Sequence, residues 1–158
     1  MKRLSVFGLI VALLLPLLLI VGCGTAETST TPITTVPPLH GGEEAKMIEI
    51  TADDFAANAN QVREIELVIP GSLIITLAAN PTTGYSWTEN ATISAPVVNQ
   101  SSYAFVQPTS DAVGAPGKSV WVFDSEQTGS GTVTLSYARP WESVPPTWTL
   151  TVNVTVKQ

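Results

Sequence analysis

Hydrophobic and polar residues alternate with a period of two over most of the chain beyond residue 46. Trp148, Leu150, Val152, Val154 and Val156 alternate with Thr147, Thr149, Thr151, Asn153 and Thr155. That is the pattern of a strand with one face turned to a core. Val133, Leu135 and Tyr137 alternate in the same way with Thr132, Thr134 and Ser136, and Ile65, Leu67 and Ile69 with Glu64 and Glu66, while Ile48 and Ile50 flank Glu49. The segments Ser72 to Ala78, Tyr85 to Glu89, Val97 to Val106 and Lys118 to Asp124 are rich in β-branched and aromatic residues, which favour strands. Turn signals separate these runs at Pro70-Gly71, Asn80-Pro81, Ala95-Pro96, Gly114 to Gly117, Gly129 to Gly131 and Pro145-Pro146. Asp53 to Val62 stays open between a loop and a helical turn.

Eight short strands at regular spacing, with no long helix, predict an all-β fold: an immunoglobulin-like antiparallel β-sandwich of about eight strands. A Cys…Trp…Cys pattern is lacking, so an antibody-type domain is not implied. If every connection reverses the chain, alternate connections emerge at one end. The connections after the third, fifth and seventh strands, Ala79 to Gly84, Gln107 to Gly117 and Arg139 to Pro146, then lie side by side.

These three connections carry the most distinctive chemistry. In Asn80-Pro81-Thr82-Thr83-Gly84-Tyr85, Pro81 sets its own φ and pushes Asn80 toward extended geometry. Asn80 can bond the backbone two residues on, and Gly84 tolerates positive φ. A rigid bump presenting the hydroxyls of Thr82 and Thr83 is expected. Gly114-Ala115-Pro116-Gly117 permits close backbone approach to another surface, or serves only as a connector. Arg139-Pro140-Trp141 places at a strand end the two residue types most enriched at interface hot spots. The plainer alternative is a tryptophan folded over the sandwich end with Arg139 stacked on it.

The ends and totals narrow the function. Lys2 and Arg3 precede an apolar run from Leu9 to Val21 that is too short to span a membrane and reads as a signal peptide over residues 1–22. Ile20-Val21-Gly22-Cys23 resembles a prokaryotic lipobox, which implies lipidation of Cys23 after cleavage before it. The domain would then sit at the cell membrane or outer membrane, facing an extracytoplasmic compartment. Residues 23–45 are rich in Thr, Ser, Pro and Gly and read as a disordered tether. Residues 46–158 make one domain, expected to be a monomer. Its only possible cysteine partner is consumed, so it depends on its apolar core rather than a disulfide.

The formal net charge is -6, with no basic run, which argues against nucleic-acid binding. The single histidine, His40, lies in the tether, and the domain has neither Cys nor His. That removes Ser–His and Cys–His nucleophiles and His-based metal sites. Asp53-Asp54 lacks the spaced acidic loop of a calcium site. We expect no catalytic residue, cofactor or metal.

Together, Asn80 to Tyr85, Gly114 to Gly117 and Arg139 to Trp141 resemble the three loops of the chagasin-type inhibitors of papain-like cysteine proteases. The resemblance spans the whole domain, although Pro116 departs from the family's plainer Gly-x-Gly loop. It implies reversible, non-covalent blockade of a protease cleft by Asn80, Pro81, Thr82, Thr83, Gly84, Tyr85, Gly114, Ala115, Pro116, Gly117, Arg139, Pro140 and Trp141. The rival reading is a surface-anchored immunoglobulin-like module for adhesion or assembly, since sandwiches host many functions.

Overall fold

The computed structural model describes residues 44–110 and 112–158. The signal segment, Cys23, His40 and all but the last two residues of the tether lie outside the described residues.

Among the described residues, nine strands and one short α-helix follow in the order β1 (Glu44–Ile50), α1 (Ala52–Ala57), β2 (Asn60–Val68), β3 (Gly71–Ala79), β4 (Ser86–Trp87), β5 (Thr92–Ile93), β6 (Val98–Val106), β7 (Gly117–Ser125), β8 (Gly129–Ala138) and β9 (Trp148–Lys157). They form two sheets, β1-β3-β7-β6 and β2-β9-β8-β4, with β5 also paired to β8. The all-β sandwich is thus as expected, but it is not wholly antiparallel. β1 pairs with β3, and β2 with β9, in parallel. The reason is that the first connections, from β1 to β2 and from β2 to β3, each reverse the chain and also carry it across to the other sheet. β1 and β3 run the same way and become neighbours once β2 has left for the other sheet.

The expected strand Tyr85 to Glu89 is broken into β4 and β5, both of which pair with β8. Trp87 faces Tyr137 and Thr92 faces Thr134, so five steps on the broken strand answer three on β8. The excess bulges out at Thr88 to Ala91. Counted as one interrupted strand, β4 and β5 preserve the alternation of chain direction.

The open stretch after β1 contains α1. Thr51 caps it: its hydroxyl accepts from the Asp54 backbone N–H, and the Asp54 carboxylate accepts from the Thr51 N–H at 2.8 Å. Asp54 is therefore the N3 member of a capping box. The Thr51 hydroxyl hydrogen bond, first, and its backbone hydrogen bond, second, hold the Asp54 carboxyl below its ordinary range. The helix exists to deliver Phe55, which is buried and stacks on Trp148 at 4.9 Å between ring centres.

The core lies between the sheets. Leu73, Ile75 and Leu77 of β3 and Trp121 and Phe123 of β7 meet Leu135, Leu150, Val152 and Val154 of the second sheet. Buried Trp side chains keep their N–H groups satisfied: Trp87 donates to the Ala78 carbonyl and Trp121 to the Glu89 carbonyl, each at 2.9 Å.

The outward faces differ. On the second sheet the outward residues are Thr132, Thr134, Ser136, Thr151, Asn153 and Glu64, a solvated set. On the first sheet, Ile74, Val120 and Val122 alternate with the core residues, yet all three are also buried. β3 and β7 read as strands apolar on both faces.

Candidate functional site

Loop 1 is a single 3₁₀ turn over Pro81–Thr83, flanked by Asn80 at φ -137° and Gly84 at φ 80°. The Asn80 side-chain oxygen accepts from the Thr82 N–H at 3.2 Å and the Thr82 hydroxyl at 2.6 Å. The Thr83 hydroxyl donates to the Asn80 carbonyl at 2.7 Å. Both hydroxyl protons are thus spent inside the turn. The bump does not offer them to a partner, as the sequence had suggested. It offers the threonine methyls on a turn whose polar groups are already paired. Pro81, Thr82 and Thr83 are all exposed.

Asn80 also ties the loops together. Its Nδ2 donates to the Gly114 carbonyl of loop 2 at 3.1 Å, and its backbone N–H donates to the Tyr137 hydroxyl at 3.1 Å. A Cβ placed on Gly114 would lie 3.8 Å from the Thr82 hydroxyl oxygen. Gly114 has φ 81°, a left-handed conformation that favours glycine.

Loop 3 packs on the other flank of loop 1. The Arg139 guanidinium lies over the Tyr85 ring at 4.5 Å, and Tyr85 stacks on Tyr137 at 5.6 Å. The column continues through Trp148, 4.8 Å from Tyr137, to Phe55. Arg139 Nη1 donates to Glu142 Oε1 at 2.9 Å. This bond is the main cause that raises the Arg139 pKa further above its usual value, so its charge is permanent. Trp141 is 69% exposed, with its ring edge against Gly84. Arg139 therefore stacks on Tyr85, not on Trp141, and the indole stays free.

All three loops stand at one end of the sandwich, with loops 2 and 3 each in contact with loop 1. Within the set expected to touch a partner, positions divide. Pro81, Thr82, Thr83, Pro116, Pro140 and Trp141 are exposed. Tyr85 is half buried and serves as the platform for Arg139. Gly117 is buried in β7, where a Cβ would come within 2.5 Å of the Phe105 ring and the Val106 carbonyl. Its smallness serves packing against β6, not approach by another surface.

Three residues outside that set shape the rim. Tyr137 has the alternation of a core position in its strand, yet its hydroxyl holds Asn80. Glu142, three residues after Arg139, holds the guanidinium, a spacing visible in the sequence. Val113 forms the tip of loop 2 and is fully exposed, and an isolated valine carries no sequence signal for that. No cluster of three or more potential metal-ligating side chains occurs among the described residues.

A sandwich whose loops are tied together into one protruding rim has the form of a binding scaffold. The chain belongs to the chagasin family of peptidase inhibitors, I42, whose model matches residues 69–156. Amoebiasin-1 from Entamoeba histolytica is 38% identical over 82 residues, covering 51% of this chain and 78% of the relative. Among solved structures, the cysteine protease inhibitor EhICP2 from Entamoeba histolytica aligns with a TM-score of 0.56 at 24% identity, over 74% of this chain and 100% of that one. PbICP-C, solved in complex with falcipain-2, aligns with a TM-score of 0.54 at 16% identity, over 72% of this chain and 99% of that one. At these identities the two structures speak to the fold alone.

Proposed function

We propose that the three-loop rim is a reversible, non-covalent plug for the active-site cleft of papain-family cysteine proteases, and that the chain catalyses nothing itself. The observation that carries this reading is the bonding of the loops to one another: Asn80 joins loop 1 to loop 2, and the Arg139–Tyr85 stack and the Trp141–Gly84 contact join loop 1 to loop 3. A rim already ordered loses little entropy on docking, so more contact energy survives as affinity. Thr82 and Thr83 enter the cleft over the catalytic thiol. Val113 to Pro116 lie along one wall, and Trp141, standing on Gly84 beside Arg139, packs on the other. A footprint of roughly 800 Å² on each partner is the usual size for such complexes. Membership of the chagasin family of peptidase inhibitors supports a peptidase target.

Papain activity measured with and without the purified protein tests the reading. Concentration-dependent inhibition, recovered on dilution, is expected. An adhesion or assembly module would leave the activity unchanged.

Lipid anchoring at Cys23 is part of the same reading. β1 runs parallel to β3, and β3 ends at loop 1, so the chain enters β1 at the end far from the rim. A tether there would hold the loops away from a membrane as a monomer. Cys23→Ala should move the protein from the membrane fraction to the soluble one.

A further inference from the structure

A cavity of about 430 Å³ opens between loops 1 and 2. Pro81 and Thr82 line it from loop 1, and Ala112, Gly114 and Ala115 from loop 2. Phe105, half buried near the end of β6, and Gln107 just beyond that strand form a further wall. Among the described residues no charged side chain lines it, although the chain carries a formal net charge of -6.

Two features keep this space open. The Asn80 amide, bonded to the Gly114 carbonyl at 3.1 Å, sets the distance between the loops. Gly117 leaves room for Phe105: a Cβ there would come within 2.5 Å of the ring's Cζ and 2.9 Å of its Cε2, so a larger residue would displace that wall. The polar groups of the walls are mostly spent. The Thr82 hydroxyl proton goes to Asn80 Oδ1 at 2.6 Å, and the Gly114 carbonyl already accepts from Asn80 Nδ2. An incoming group meets hydrocarbon and the Gln107 carboxamide.

We propose that this cavity is a socket for one apolar side chain projecting from the wall of the protease cleft. The socket presupposes the cleft plug proposed above and is continuous with it, since Pro81, Thr82, Gly114 and Ala115 belong to both. Its volume lies within the range of roughly 300–1,000 Å³ over which pockets enclose small ligands, so a large aliphatic or aromatic side chain fits. Such a side chain leaves water without stranding a polar group, whereas a charged one would be desolvated with no counter-charge among the lining residues. The Gln107 carboxamide can pair with a peptide group beside the occupant. The rim therefore receives as well as inserts. Because one hydrogen bond sets the spacing of the walls, the socket sorts papain-family enzymes by the size of the apolar side chain they present.

Isotope-filtered NOE spectra of the labelled protein bound to unlabelled papain test it. Papain side-chain protons, aliphatic or aromatic, should give cross-peaks to both the Phe105 ring and the Ala115 methyl. Cross-peaks to the Thr83 methyl with none to the Phe105 ring would overturn the socket and leave the plug standing. Absence of inhibition and of any cross-peak at Thr83 would bring down the plug, and the socket with it. Cross-peaks to the Phe105 ring from an unlabelled copy of this chain, without papain, would make a second copy the occupant and also overturn it. Ala115→Leu, which takes up the space, should weaken papain inhibition by about tenfold or more, as a misfitted apolar pocket does. Phe105→Leu, which returns space, should recover part of that loss. An unchanged inhibition constant for Ala115→Leu, or losses that simply add, would overturn the proposal.

Discussion

Loops 1 and 3 are joined as one solid, whereas loop 2 is attached to them by one side chain. The first two share the Arg139–Tyr85 stack, the contact of Trp141 with Gly84 and the Tyr137 hydroxyl under Asn80. Loop 2 carries its own turn, closed by Ala115 N–H to the Ala112 carbonyl at 3.0 Å, and meets loop 1 through the Asn80 amide. The difference teaches where shape is prepaid. Two loops have their form before any partner arrives, and the third has its position controlled by a single hydrogen bond. Affinity should be concentrated in the first pair and accommodation in the middle loop.

The comparison can be broken most directly at its centre. Thr83→Arg puts a long charged side chain at the crest of loop 1 and should abolish inhibition. Full inhibition by this variant would remove loop 1 from the cleft.

Trp141→Ala should cost about 2 kcal/mol or more of binding, as truncated hot spots do. The change is read from the inhibition constant, with the thermal midpoint nearly unmoved because the indole is largely exposed. A loss below a few tenths of a kcal/mol would show loop 3 to be a bystander.

Gly84→Ala imposes a left-handed conformation on alanine, about 1 kcal/mol of strain, and displaces the indole edge 2.9 Å from the new methyl. Its effect on inhibition should shrink in the Trp141→Ala background, because the two residues act through one contact. Strictly additive losses would mean that loops 1 and 3 are not a unit.

Asn80→Ala should weaken inhibition by roughly tenfold, or about 1.4 kcal/mol, through the loss of the turn and the link to Gly114. Backbone amide relaxation should show new motion in loop 2 and less in loop 3. Equal loosening of both would refute the asymmetry.

The smallest effect lies at the base of the aromatic column. The Asp54 carboxyl is held below its ordinary value of 3.8, so its contribution is present above that pH and disappears as pH falls through the folded value. Between pH 7 and pH 3, the thermal midpoint of Thr51→Ala should approach that of the unaltered chain. A gap that does not close would mean that the capping box is not what titrates.

Much of the fold was legible because a half-buried strand repeats every two residues. β8 and β9 appear at almost their full length in the alternation of Val and Leu with Thr. β4 and β5 were not separable, since a bulge leaves no periodic trace. The two parallel pairings were also hidden: alternation tells which face of a strand is buried, not which strand lies beside it. At the rim, Asn80 to Tyr85 was readable because Asn, Pro and Gly each restrict the backbone in a known way. The packing of Gly117 was not readable, because crowding by Phe105 depends on how β6 lies against β7.

The sequence by itself determined that this is a β-sandwich, that three connections share one end, and that those connections carry the most distinctive residues of the domain. Local backbone preference and a two-residue period suffice for that. Only the tertiary structure decided that the threonine hydroxyls turn inward, that Arg139 rests on Tyr85 and frees Trp141, and that one sheet is apolar on both sides. Each of these depends on atoms far apart in the chain, and distance along a chain does not reveal distance in space.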